Sequence, residues 1–158
     1  MWFILDQVGL DYVHAAPRRV RQEIVLDADP AAVFNVLTGD RWNEWFPDIK
    51  EIRWGPPRGV GGTRYVHLGH SRACETLRAW EPARRIALSL DRSNLPVVKA
   101  LLVDFQLSPL ADGRRTRLQL AWHYELRLWL RPVHTRVRQR FQEIVDGALA
   151  GFKTFVER

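Results

Sequence analysis

A chain of 158 residues, 46% hydrophobic and 27% charged, suits one domain and is too apolar to default to disorder. Its net charge of +6 comes mostly from arginine, with lysine only at positions 50, 99 and 153. That reads as compositional bias, because a nucleic-acid partner needs basic charge gathered on one face, so none is expected. A single cysteine, Cys74, excludes an internal disulfide and any zinc site built on paired cysteines, and it fits a reducing compartment.

The first apolar run, Trp2 to Leu5, is too short for a signal peptide, and Asp6 follows it at once. No later stretch reaches the roughly 18 apolar residues of a membrane span, so the expected location is the cytoplasm. Residues 1–17 carry no assignable pattern and stand as a lead-in to a single domain over 18–158. Val20 to Asp27 alternates as a strand, with Val20, Ile24 and Leu26 on one face. Asp29-Pro30 supplies an N-cap and a first-turn proline for a short helix through Leu37, stopped at Gly39. Asp40 is expected to cap a second short helix through Trp42 and Trp45, ended by Pro47. Ile49 to Trp54 is the next strand, broken by Gly55-Pro56-Pro57.

A meander of hairpins follows, and residue parity fixes its registers. Gly69-His70 suits a two-residue type II′ turn, which sets Val66 opposite Ala73 and Arg64 opposite Glu75. One face then carries Val66, Leu68, Ala73, Leu77 and Ala79, while His67, Arg72, Thr76 and Arg78 take the wetter side with Cys74. Counting across the turn Glu81-Pro82-Ala83-Arg84 places Ala79 opposite Ile86 and Leu77 opposite Leu88. Asp112-Gly113 is a type I′ signal that pairs Leu107 with Leu118, Phe105 with Leu120, Val103 with Trp122 and Leu101 with Tyr124. The other face of that hairpin receives Asp104, Gln106, Gln119, His123 and Glu125. From about Pro132 the period becomes helical: Val133, Val137, Phe141, Ile144, Val145, Ala148, Phe152 and Val156 form one stripe. A helix with one face to bury and a meander with one apolar face predict an α+β domain, a curved antiparallel sheet around a long C-terminal helix.

Five segments in this order make the pattern more specific. They are Asp29-Pro30-Ala31-Ala32-Val33-Phe34, Trp42-Asn43-Glu44-Trp45-Phe46-Pro47-Asp48-Ile49, Gly61-Gly62-Thr63-Arg64, Glu75-Thr76-Leu77-Arg78-Ala79-Trp80-Glu81-Pro82 and Arg84-Arg85-Ile86. Over residues 18–158 the chain resembles the SRPBCC superfamily (START-like, helix-grip fold), in its bacterial polyketide cyclase/dehydrase and lipid-transport-like branch. The resemblance implies an internal apolar pocket. It carries over no catalytic residue, because the fold hosts carriers, receptors, aromatases and regulators.

Several patterns are weighed against plainer readings. Gly59-Val60-Gly61-Gly62 lacks the Gly-Lys-Ser/Thr ending of a phosphate loop and precedes a strand, so it reads as a connecting loop; the resemblance places it near the pocket mouth. His67 and His70 fall on opposite sides of a strand and its turn, and none of the five histidines has metal-ligand spacing. No cofactor motif emerges, and no serine or cysteine sits in a nucleophile setting. Trp42, Trp45 and Phe46 form either a lid on the pocket or packing between the short helices and the sheet. Arg127, Arg131, Arg136, Arg138 and Arg140 are read as a solvated helix face, with contact to an anionic membrane surface or RNA as the alternative.

The expected function is binding or carriage of a small hydrophobic molecule of the lipid, polyketide or isoprenoid class. Expected wall residues from the sheet are Arg64, Val66, Glu75, Leu77, Leu88, Val103, Phe105, Leu120, Trp122 and Tyr124. Phe141, Ile144, Val145 and Ala148 are expected from the helix. A cyclase or dehydratase is the alternative, and its acid or base would come from Arg64, Glu75 or the Tyr124 phenol. A regulatory or membrane-surface protein of the toxin-like or quinone-binding type is the third.

Overall fold

The computed structural model describes residues 1–158. The lead-in holds a two-residue strand, β1 (Phe3–Ile4), and one helical turn, α1 (Tyr12–Ala15). Then come β2 (Arg18–Leu26), α2 (Pro30–Leu37), a 3-10 turn (Trp42–Glu44), β3 (Ile49–Trp54), β4 (Thr63–Leu68), β5 (Ser71–Glu81) and β6 (Arg85–Ser93). The chain ends with β7 (Val98–Leu110), β8 (Arg115–Leu126), a 3-10 segment (Leu128–Val133) and α3 (His134–Val156). The strands form one antiparallel sheet in the order β2-β8-β7-β6-β5-β4-β3, and β1 pairs with the end of β6.

Local chemistry sets most element ends. The Asp29 carboxylate accepts the Ala32 N–H at 2.8 Å, and Pro30 occupies the first turn of α2, as its sequence implies. Asp40 does not cap the following turn, which begins after Arg41 without a side-chain cap; its carboxylate instead lies 3.5 Å from Arg58. A single 3-10 turn has few free N–H groups to reward a cap, and the nearby guanidinium takes the carboxylate instead. The long helix begins at His134, two residues past Pro132, and runs unbroken for 23 residues.

The hairpin registers at both type-specific turns hold. Gly69 takes φ 57°, and Val66 faces Ala73 as Arg64 faces Glu75. Asp112 and Gly113 have φ of 58° and 84°, and the four apolar pairs from Leu107–Leu118 to Leu101–Tyr124 form as expected. Between β5 and β6 the expectation fails at one pair. Leu77 faces Leu88, but Ala79 faces Ala87 and Trp80 faces Ile86, because a bulge lies between Leu77 and Ala79. The turn is one residue longer than parity counting assumed, with Ala83 at φ 63°, and the bulge absorbs the extra residue. The glycine loop borders this bulge: the Gly61 N–H donates to Leu77 O and the Leu77 N–H donates to Gly62 O.

The bulge therefore turns Ala79 to the outer face and Trp80 to the inner one. Trp80 meets Phe34 and Trp54 edge-on, at 5.5 and 6.1 Å between ring centroids. Ala79, Ala87 and Leu102 make a small outer cluster, covered by Val8, Leu10, Tyr12 and Val13 of the lead-in. The outer face is accordingly less wet than alternation implies: Asp104 and His123 are buried there, and Asp104 accepts both Arg85 and Gln106.

The inner face meets α3, which buries Val145, Ala148, Leu149 and Phe152. The helix also covers the free edge of β2. Gln142 Nε2 donates to Arg21 O and Lys153 Nζ to Val25 O, satisfying carbonyls of an edge strand. No helix is long and apolar enough to cross a membrane.

Candidate functional site

The apolar stripe of α3 and the concave face of the sheet do not meet along their whole length. Phe152 packs edge-on against Trp45 at 4.8 Å, so the C-terminal half of the helix is closed onto the core. Toward its N-terminal half a cavity of about 220 Å³ remains. Of its 21 lining residues 17 are hydrophobic, and the polar ones are Arg64, Ser71, Glu75 and Ser93.

The polar end is built by a chain of contacts that starts at α2. The indole N–H groups of Trp42 and Trp54 donate to Leu37 O and Gly39 O, both at 3.0 Å, which fixes the two rings at the end of that helix. The Arg64 guanidinium carbon lies 4.4 Å from the Trp42 ring centroid and 5.2 Å from that of Trp54. Both distances are in the range of cation–π attraction, which strengthens when the cation is desolvated. Glu75, opposite on β5, accepts Arg64 Nε at 3.2 Å and Arg64 Nη2 at 3.0 Å. Both side chains are about 95% buried, with exposures of 5% and 4%. Burial pushes the Glu75 carboxyl up from its usual range, against the opposing pull of the Arg64 charge. Arg64 Nη1 is buried and has no hydrogen-bond partner.

Among the residues expected on the wall, Arg64, Val66, Glu75, Val103, Phe105, Leu120, Trp122, Phe141 and Ile144 line the cavity. Leu77, Leu88, Tyr124, Val145 and Ala148 do not; they are close-packed core, each with at most 2% exposure. They share the inner face with the true wall, but they sit where helix and sheet have closed. The Tyr124 hydroxyl is buried without a partner, and burial raises its pKa, yet it is not on the cavity wall. Trp42 and Phe46 are wall residues, whereas Trp45 is core; all three rings are buried and pack on one another.

Sequence reasoning missed the other end of the cavity, formed by Leu68 and Ser71 at the β4–β5 turn and by Leu95, Val97 and Val98 at the β6–β7 connection. Leu95 is 40% exposed, which marks this end as the mouth. Leu95 and Val97 lie in a loop with no alternation to place them, and Leu68, on the inner face by parity, stands at a strand end whose depth parity does not give. The Gly59–Gly62 loop lies at the opposite end of β4 and contributes nothing to the wall, contrary to expectation.

This architecture has close counterparts. The family described as "Polyketide cyclase / dehydrase and lipid transport" matches residues 17–157. The chain belongs to this family. Uncharacterised proteins of Mycobacterium tuberculosis (Rv2574) and Mycobacterium bovis (Mb2604) are 28% identical to it over 120 residues, covering 73% of this chain and 72% of theirs. Among solved structures, the Zhui aromatase/cyclase from Streptomyces superposes with a TM-score of 0.71 at 20% identity, over 89% of this chain and 94% of that one. A START superfamily protein from Mycobacterium smegmatis gives 0.71 at 17% identity, over 88% and 97%. At such identities these likenesses establish the helix-grip fold, and with the family match they place the chain in the SRPBCC superfamily. The matched region begins at residue 17, so Val8, Leu10, Tyr12 and Val13, which cover the outer cluster, lie outside it.

Proposed function

We propose that the protein binds one small, mainly apolar molecule of the lipid, polyketide or isoprenoid class without converting it, and that an acceptor atom of that molecule seats on Arg64. The observation that carries this reading is Arg64 Nη1, a buried donor on an apolar wall with no partner. An unsatisfied buried donor costs about 1–3 kcal/mol, which a ligand oxygen would recover. Glu75 already balances the arginine charge, so a carbonyl or hydroxyl would serve as well as a carboxylate. The volume of about 220 Å³ falls below the roughly 300–1,000 Å³ of drug-sized sites, which favours a single compact molecule or chain.

Cyclase or dehydratase chemistry is the second reading. It is favoured by Glu75, the one carboxylate on the wall, whose pKa burial raises. Both carboxylate oxygens are held by Arg64, however, so acid–base work would require the pair to separate.

Uptake of N-phenyl-1-naphthylamine, an uncharged dye that brightens in apolar surroundings, tests the binding reading. Saturable brightening is expected, and Trp122→Asp, which places a charge on the wall, should abolish it in a protein that stays folded. Unchanged brightening in that variant would move the binding site away from this cavity.

A further inference from the structure

The end of the molecule that holds the cavity mouth carries apolar side chains that nothing in the fold covers. Leu128 and Trp129 are 72% and 63% exposed, on the 3-10 segment that follows β8. Backbone pairing ties this segment to the mouth, since the Arg127 N–H donates to Val97 O and Leu126 faces Val98. Trp2 and Ile4 are exposed at the same end of the sheet: Phe3 faces Ser93 of the wall, Ile4 faces Arg92 on the outer side, and Arg127 Nη2 donates to Ile4 O at 3.0 Å. Val133, also exposed, continues the patch toward the first turns of α3.

The charge around this patch is mainly positive, and its acidic residues Asp6 and Glu125 are already answered by Lys99 and Arg131. Residues 126–142 contain five arginines and no acidic residue. Arg131 is answered by Glu125 and Arg140 by Glu143, while Arg136 and Arg138 are exposed with no ion pair. Arg92 lies 4.9 Å from the Trp2 ring centroid. Indole rings beside unpaired guanidinium groups match the chemistry of a bilayer interface, where tryptophan occupies the headgroup level and arginine meets anionic phosphate. An exposed apolar patch alone does not name its partner, but this charge complement does.

We infer that the mouth end of the protein, through Trp2, Ile4, Leu128, Trp129, Arg136 and Arg138, docks on the surface of an anionic lipid bilayer. Docking there would turn the cavity entrance toward the membrane. The inference does not depend on which molecule fills the cavity, and its readout is vesicle binding, not dye uptake.

The test is co-sedimentation with vesicles of phosphatidylcholine alone and of phosphatidylcholine mixed with phosphatidylglycerol. The protein should bind the mixed vesicles, more weakly as salt rises, and the neutral ones poorly. Leu128→Ser/Trp129→Ser should lose about tenfold or more in partitioning through lost apolar burial in the interface, and Arg136→Glu/Arg138→Glu about tenfold or more through lost attraction to anionic headgroups. All four side chains are exposed, so both variants should fold and keep dye uptake. Arg114→Glu/Arg115→Glu, at the opposite end of the sheet, should bind as the parent does. The inference is overturned by equal binding of all variants, by an equal loss in the opposite-end variant, or by parent protein that ignores the vesicles. Binding to an RNA oligonucleotide in place of vesicles, or burial of the patch in a self-dimer seen by solution mass, would overturn it too.

Discussion

Arg64 and Glu75 face each other across β4 and β5, with Arg64 Nη2 3.0 Å from Glu75 Oε1 on the wall of an apolar cavity. Desolvating two charges is costly, and removing one partner strands the other. Glu75→Ala should therefore destabilise the protein by about 3–5 kcal/mol, measured by urea denaturation. Arg64→Met/Glu75→Leu removes both charges at similar volume and should recover most of that loss. A double variant no more stable than Glu75→Ala would mean that the pair is not the source of the penalty.

Two glycines on α3 should respond in opposite directions to alanine. A Cβ on Gly151 would lie 2.0 Å from the Trp45 carbonyl oxygen, whereas one on Gly147 meets nothing within 4 Å. Gly147→Ala should stabilise by about 0.8–1.0 kcal/mol through helix propensity. Gly151→Ala should lose about 1–3 kcal/mol despite the same propensity gain, because the helix must back away from the 3-10 turn. Equal stabilisation at both sites would show that α3 does not approach Trp45 this closely.

Phe152 and Phe141 separate core from wall. Phe152 is fully buried against Trp45, so Phe152→Ala should cost about 3–5 kcal/mol. Phe141 is half-buried and already borders the cavity, so Phe141→Ala should cost less and admit larger apolar dyes. Denaturation midpoints that rank the two in reverse would contradict the placement of the cavity.

Burial lowers the pKa of His123 below its ordinary value of 6.5, against the pull of Asp104, and the charges of Arg19, Arg85 and His14 lower it further. The unfolded chain then takes up this proton more readily than the fold. Stability should fall as pH drops below about 6.5, until the depressed folded pKa is passed. His123→Gln should flatten part of that slope in urea midpoints taken on both sides of pH 6.5. Parallel slopes in parent and variant would remove His123 from the acid response.

The parts of the fold legible in the sequence are those where pattern and turn chemistry agree. Asp112-Gly113 and the alternation around it fix β7 and β8, and the stripe of α3 identifies which side is buried. Ala79 escaped because a bulge beside the glycine loop reverses parity, and nothing in Leu77-Arg78-Ala79 announces it. The lead-in escaped because Val8, Leu10, Tyr12 and Val13 follow no single period, yet together they cover Ala79, Ala87 and Leu102. At the site, parity assigns a face but not a depth. Val103 and Leu88 share the inner face, and only the local approach of the helix makes one a wall residue and the other core.

A matched pair of dyes tests the central claim most directly. 1-Anilinonaphthalene-8-sulfonate carries an anionic acceptor on the skeleton of the uncharged N-phenyl-1-naphthylamine, so the pair isolates the anchor from the apolar wall. In Arg64→Met/Glu75→Leu, affinity for the sulfonate dye should fall about tenfold or more, as expected for a lost charge-assisted hydrogen bond of about 1.5–3 kcal/mol. Affinity for the uncharged dye should hold or rise. Equal retention of both dyes in that variant would contradict a polar anchor at Arg64, and failure of the parent to take up either would contradict the binding cavity itself.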